Sequence, residues 1–232
     1  MKSVGTSKIG LVRKLNEDRF YIEEPFFIVT DGMGGHVGGE IASTMAIDEI
    51  IASIHEAAGI DEEVLAEAVQ NANQAICAQV ADRTDLQGMG TTVVMAYISK
   101  KKLYWANVGD SRLYLYRDNE LSRITTDHSM VQTLLDSGKI TKEEILVHPQ
   151  RNLLTRAVGV SEDLTVDTGT VAVRPGDRIL LCSDGLTGYI SEDLIEKIFQ
   201  NESIEERITE DLMALVYEAG AKDNVTIIVG TL

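Results

Sequence analysis

Two segments of this 232-residue chain run from an apolar stretch straight into a carboxylate followed by glycine. They are Phe26-Phe27-Ile28-Val29-Thr30-Asp31-Gly32 and Arg178-Ile179-Leu180-Leu181-Cys182-Ser183-Asp184-Gly185. Both apolar stretches favour strands, and the pattern predicts that each strand stops abruptly at its acid, where glycine turns the backbone without steric cost. A buried strand is a stiff support, so each aspartate would be presented at the rim of a sheet. Three further stretches repeat the arrangement. Leu103-Tyr104-Trp105-Ala106-Asn107-Val108 leads into Gly109-Asp110-Ser111-Arg112, Asp223-Asn224 opens Val225-Thr226-Ile227-Ile228-Val229, and Arg13-Lys14-Leu15-Asn16-Glu17-Asp18 precedes Arg19-Phe20-Tyr21-Ile22. Every one of these acids is placed at a strand end and none on a helix face. Gathered at one rim they would repel and raise one another's pKa, and divalent cations are the usual remedy. The pattern predicts a multi-metal site with oxygen ligands only.

Ligand type narrows the metal. Carboxylates, carbonyls and water suit Mg2+ or Mn2+, whereas zinc favours cysteine and histidine. Cys77 and Cys182 are far apart, and His36, His55, His128 and His148 form no HxH or HxxxH pair. The stretch Asp31-Gly32-Met33-Gly34-Gly35-His36 lacks the alternating carboxylates of a calcium-binding EF-hand loop. Zinc and calcium are both poorly supported.

The elements that must position these acids follow from hydropathy. Strands are predicted near 2–10, 18–23 and 26–30, then a helix over 38–57 with Ile47, Ile50, Ile51, Ile54 and Ala58 at helical spacing. Asp61 caps a second helix that runs to about Arg83. Three or four strands lie between Thr91 and Ile124. Short helices fill 127–158, with Thr141 and Glu144 as a capping box. Strands at 163–173 and 178–183 flank the Pro175-Gly176-Asp177 turn, and helices at 191–200 and 207–219 precede the last strand. This order implies a sheet-rich core with helices in pairs on its outer faces.

Composition supports one domain spanning 1–232: hydrophobic residues are 44% of the chain, and its three prolines sit in no linker-like tract. The net charge of -16 argues against nucleic acid or an anionic membrane as partner. No signal-peptide core or membrane-length apolar run is present, so a cytoplasmic protein is expected. No heptad seam suggests assembly, and a monomer is expected.

At this point the motifs are familiar. Arg13-x-x-Asn16-Glu17-Asp18, Asp31-Gly32-Met33-Gly34-Gly35-His36-x-x-Gly39-Glu40, Gly109-Asp110-Ser111-Arg112, Ser183-Asp184-Gly185-Leu186 and Asp223-Asn224-Val225-Thr226 occur in the order seen in metal-dependent Ser/Thr protein phosphatases of the 2C type. The chain resembles the bacterial branch over nearly its whole length. The resemblance implies an α+β fold: a four-layer α-β-β-α sandwich with two central, mostly antiparallel sheets flanked by helix pairs. It also implies that Asp31 bridges two ions, that the Gly32 carbonyl ligates one, and that Asp184 and Asp223 complete the other. Asp18 would support the cluster directly or through water, and Glu17 with it. Asp110 would hold a third, weaker ion, and Arg13 would grip the substrate phosphate. Residues 129–156 resemble a flap. Animal members commonly carry histidine where this chain has Met33, a role that does not transfer between positions; the bacterial pattern places histidine at His36, the candidate proton donor.

The reaction implied is hydrolysis of phosphoserine or phosphothreonine in proteins, the products of a Ser/Thr kinase, by a metal-bridging hydroxide without a phosphoenzyme. Uncatalysed phosphate-monoester hydrolysis is so slow that enzymes supply rate gains up to about 10²¹. A general acid contributes about 10²–10⁴, so the metals must dominate. Two alternatives remain at this stage: a catalytically silent, metal-binding recogniser of phosphoproteins, and a hydrolase of small phosphorylated metabolites. Cys77 and Arg83 have the Cys-x5-Arg spacing of cysteine phosphatases, but Ala78-Gln79-Val80-Ala81-Asp82 continues a helix and lacks the glycine-bearing phosphate loop.

Overall fold

The computed structural model describes residues 1–34, 37–145 and 147–232, and the Thr84 side chain is left aside. The N-terminal half contains β1 (Lys2–Lys8), β2 (Asp18–Glu23), β3 (Phe26–Met33), α1 (Gly38–Glu56) and α2 (Glu62–Asp82). The strands β4 (Gly90–Thr91), β5 (Val93–Ser99), β6 (Lys102–Val108), β7 (Arg112–Arg117) and β8 (Glu120–Arg123) follow. The remainder is α3 (Met130–Asp136), α4 (Lys142–Ile145), β9 (Asp167–Ala172), β10 (Arg178–Cys182), α5 (Asp184–Thr187), α6 (Glu192–Asn201), α7 (Glu205–Glu218) and β11 (Val225–Thr231).

Among the described residues the strands form two sheets, ordered β1-β11-β10-β7-β8 and β2-β3-β5-β6-β9, with β4 paired to β3. Each of their pairings is antiparallel. Three apolar layers hold four structural ones together. Between the sheets lie Phe27, Val29, Val94, Leu113, Leu115, Ile179, Leu181 and Ile228. On the outer face of β3, β5 and β6, Ile28, Val93 and Met95 meet Ile50, Leu65, Val69 and Ile76 of α1 and α2. On the other outer face, Leu180, Ile227 and Val229 meet Ile195, Phe199, Ile208 and Leu212 of α6 and α7. Alternate residues of β3, β10 and β11 thus serve two cores at once, because successive strand side chains point to opposite faces. The expected four-layer sandwich is observed.

Local corrections matter for the site. β3 does not stop at Asp31: it continues through Gly32 and Met33 because these pair with Thr91 and Gly90. Asp184 is not at a bare strand end but opens the one-turn helix α5, which sequence periodicity could not signal at four residues. β1 ends at Lys8 rather than near 10, and β9 begins at Asp167 rather than near 163. Asp61 does cap α2, accepting from the Glu63 and Val64 amides. The capping box at Thr141 shows its backbone half, with the Thr141 amide donating to Glu144 Oε2 at 2.8 Å. Cys77 lies inside α2 and Cys182 in the core, both as free thiols with raised pKa from burial. Neither faces a phosphate loop.

Candidate metal centre and phosphate cleft

The two sheets meet at one rim in a cavity of about 180 Å3 whose lining includes Arg13, Glu17, Asp31, Gly32, Asp110, Asn152, Asp184 and Asp223. Five separate chain segments therefore bring acids to one place. Among the described lining residues Arg13 is the single cation.

Asp31 is central. Antiparallel register sets it directly across from Asp18, an arrangement of like charges that is destabilising by itself. Its amide donates to Thr92 Oγ1 at 2.9 Å, and the Thr92 hydroxyl meets Ser111 Oγ at 2.7 Å. Thr92 and Ser111 are buried. They form a hydrogen-bonded strut between the strand bearing Asp31 and the turn bearing Asp110. Sequence reasoning gave the Thr92 hydroxyl no role, since a lone threonine between strands carries no distinguishing signal.

Asp18 is 1% exposed. Ser183 Oγ and Thr226 Oγ1 each donate to its Oδ2 at 2.7 Å, and the Thr226 amide donates to Ser183 Oγ at 3.0 Å. Its other oxygen, Oδ1, is buried with no hydrogen-bond partner, and the same holds for Glu17 Oε1. An unpaired buried carboxylate oxygen is costly unless a cation or proton meets it. Burial raises the pKa of Asp18, Asp31, Asp110 and Asp184, and their mutual repulsion adds to it. Orphaned acceptors, an oxygen-only donor set and elevated acid pKa values together fit hard divalent cations.

Asn224 arranges the N-terminal part. Its Nδ2 donates to the carbonyls of Ile9 at 3.0 Å and Leu15 at 2.9 Å, while its Oδ1 accepts from the Glu17 amide at 2.8 Å. This one amide clamps the loop that carries Arg13. Arg13 in turn forks onto Asp223, with Nε to Oδ1 at 2.7 Å and Nη2 to Oδ2 at 2.8 Å. Both Asp223 oxygens are thereby engaged. Among the described residues no three His, Cys, Asp or Glu side chains stand at ligand spacing around one point. The acids line one cavity without closing on a single point.

Glu17 has a second task. Its carboxylate lies against Gly39 in the first turn of α1, and α1 has no side-chain cap of its own at Val37. Glu17 therefore meets the positive end of a 19-residue helix. The approach is tight: a Cβ at Gly39 would overlap Glu17 Oε1 and the Gly32 carbonyl carbon, and one at Gly32 would overlap the Gly39 carbonyl. Gly39→Ala is expected to lower urea-unfolding stability by about 1–3 kcal/mol through overpacking. Gly59→Ala, where a Cβ meets nothing within 4 Å, is the control. Equal midpoints for the two variants would contradict the packing argument.

Other named residues are structural. Arg112 is forked onto Asp127, and Glu40 pairs with Arg19. The 129–156 stretch is tied at its base by the Ser129–Leu154 bridge and carries α3 and α4. His36 lies outside the described residues.

Two face-to-face antiparallel sheets thus carry at their rim an acidic, oxygen-lined cleft whose donor set suits hard divalent cations. Residues 6–134 match the protein phosphatase 2C family. A serine/threonine phosphatase of Listeria welshimeri, stp, is 38% identical over 229 residues, covering 94% of this chain and 91% of that protein. The Mycobacterium tuberculosis serine/threonine protein phosphatase PstP is 41% identical over 232 residues, which are 99% of this chain and 44% of that protein. A crystal structure of M. tuberculosis PstP/Ppp superposes with a TM-score of 0.93 at 39% identity, covering 100% of this chain and 98% of that one. A structure of the PstP catalytic domain with 2 manganese ions gives 0.90 at 38% identity, over 98% and 96% of the two chains. The chain belongs to the protein phosphatase 2C family.

Proposed function

We propose that this protein hydrolyses phosphoserine and phosphothreonine esters in proteins, using two divalent cations, Mg2+ or Mn2+, held in the acidic cleft. The observation that carries the reading is the convergence of acids from five chain segments on one cavity whose described lining contains a single arginine. Family membership and the two-manganese PstP structure support it. Asp31 and the Gly32 carbonyl would hold one ion, and Asp31, Asp184 and Asp223 the other. Asp18 and Glu17 would act on them directly or through water with their unpartnered oxygens. Asp110 would hold a third, weaker ion. When bound, the cations supply Lewis-acid charge neutralisation and activation of water.

The chain's own residues do the rest. Arg13 presents a planar fork matched to two phosphate oxygens. That fork lies on Asp223 in the structure, and Arg13 would turn to the phosphate where Asp223 serves a cation. Asn224 keeps the Arg13 loop in reach of both. Backbone anchoring of Asp31 by Thr92 fixes the centre before substrate arrives, as catalytic pre-organisation demands. His36 is the candidate proton donor to the leaving serine or threonine oxygen. The substrates would be proteins phosphorylated by a Ser/Thr kinase.

The test is hydrolysis of a phosphopeptide panel with Mn2+, Mg2+ or chelator, alongside small phosphorylated metabolites and an aryl phosphate. Metal-dependent turnover favouring phosphoserine and phosphothreonine peptides is expected. Bound manganese without peptide hydrolysis would sink the reading. Arg13→Ala is expected to lower kcat/KM on phosphopeptides about 10–100-fold, the worth of a hydrogen bond to a charged group. Arg13→Lys should recover only part of this, because an ammonium lacks the fork. Full recovery by lysine would show that charge alone matters.

A further inference from the structure

The turn that carries Asp110 is gripped from beneath by a side chain with no part in the reaction just described. His128 is 3% exposed. The Gly109 amide donates to His128 Nδ1 at 3.1 Å, and the His128 amide donates to the Gly109 carbonyl at 2.9 Å. Histidine thus holds both peptide planes that flank Gly109, and the second of these planes leads directly into Asp110. The grip is needed because Gly109 has a φ of +105°, in the region where glycine is least restrained. Thr92 packs against the other side of this glycine.

The ring chemistry is set by the same contacts. A ring nitrogen that accepts an amide hydrogen carries no proton, so the proton of the neutral imidazole sits on Nε2. Nε2 lies at ion-pair distance, 3.1 Å, from Asp167 Oδ2 and is left without a hydrogen bond of good geometry. Arg156 takes the other Asp167 oxygen at 2.5 Å. Burial is the main reason the His128 pKa is lowered, which keeps Nδ1 free to accept. The ring's hydrogen bond is therefore the one to Gly109, and Asp167 adds an electrostatic contact on the far side of the ring.

We propose that His128 is a positioning residue for Asp110: its Nδ1 lone pair, by fixing the Gly109 amide, sets the direction in which the Asp110 carboxylate enters the cleft. This rests on the assignment of Asp110 to the weak cation site. Outer partners of this kind typically change metal affinity or activity about 10–100-fold when removed.

Two amides of similar polarity separate positioning from packing. His128→Asn places an oxygen where Nδ1 stands and keeps the Gly109 contact. His128→Gln places its amide where Nε2 stands and loses that contact. Calorimetric titration with Mn2+ is expected to show wild-type binding for His128→Asn. For His128→Gln the weakest phase should fall about 10–100-fold, with the tight phases unchanged. Asp167→Asn should leave the isotherm as in the wild type. Asp110→Asn should abolish the weak phase. Indistinguishable isotherms for the asparagine and glutamine variants overturn the proposal, as does loss of the weak phase in Asp167→Asn. If only His128→Asn folds, loss of its weak phase overturns it equally. An unchanged isotherm for Asp110→Asn removes the ligand assignment itself, whereas loss there with retention in His128→Gln removes only the role of the histidine.

Discussion

Replacing Asp31 with asparagine lowers kcat on a phosphoserine peptide by at least about 10³-fold at saturating Mn2+, a loss of several kcal/mol of charge stabilisation. The variant should nevertheless fold. Asparagine has nearly the same shape, and the anchor at this position is the backbone amide bonded to Thr92 Oγ1, which the substitution leaves in place. Without metal the variant should be at least as stable as the parent, because Asp31 faces Asp18 in register and is pressed by Asp184, Asp110 and Asp223. A neutral amide removes the cost of either crowding a charge or holding a proton at this buried position. A dead enzyme that melts no lower than wild type in chelator is the signature of a functional carboxylate rather than a structural one. Activity within tenfold of wild type would refute the assignment.

Metal and proton should compete for the same cluster, and the sign of the effect is fixed. Burial and neighbouring charge push Asp18 up to about 7 and raise Asp31, Asp110 and Asp184 as well. Between the ordinary carboxylate range and these raised values, the folded metal-free protein holds more protons than the unfolded chain. Stability then falls as pH rises, since the unfolded state binds fewer protons. In chelator, Tm should therefore be higher near about pH 6 than near about pH 8. Adding Mn2+ should reverse the order. Two sites each at about 100 times Kd add roughly 2.7 kcal/mol apiece. For a chain of this size that corresponds to a rise on the order of 10 °C. The gain should shrink as pH falls, because protons displace the cations. A Tm in chelator that is flat or rises with pH would contradict the clustering, and so would the absence of any Mn2+ shift.

Much of this architecture was legible in the residues. The apolar runs of β3, β10 and β11 are nearly unbroken because each strand feeds two apolar layers, so Phe27 and Ile28 or Ile227 and Ile228 are both buried. The long helices α1 and α2 were equally clear, with Asp61 marking the start of the second. Shorter features were not. The continuation of β3 through Met33 depends on Gly90 and Thr91, almost sixty residues away, and nothing local announces such a partner. The four-residue helix at Asp184 is too brief to leave a periodic trace.

The site divides along the same line. The cleft acids and the glycines after them were readable, because both are local requirements of residue type: a carboxylate must come from Asp or Glu, and a close backbone approach must lack a Cβ. The sequence by itself thus singled out acids and an arginine that line one cleft, together with the order of strands and helix pairs. Tertiary structure alone decided how they are held. The Thr92–Ser111 strut, the Ser183 and Thr226 hydroxyls on Asp18, the Glu17 carboxylate at the start of α1 and the fork of Arg13 on Asp223 all join residues distant in the chain. Serine and threonine occur throughout any sequence, and a hydroxyl becomes a support only when folding places it beside a buried charge. Repulsion among acids is likewise a property of their final distances, and no one-dimensional spacing records those.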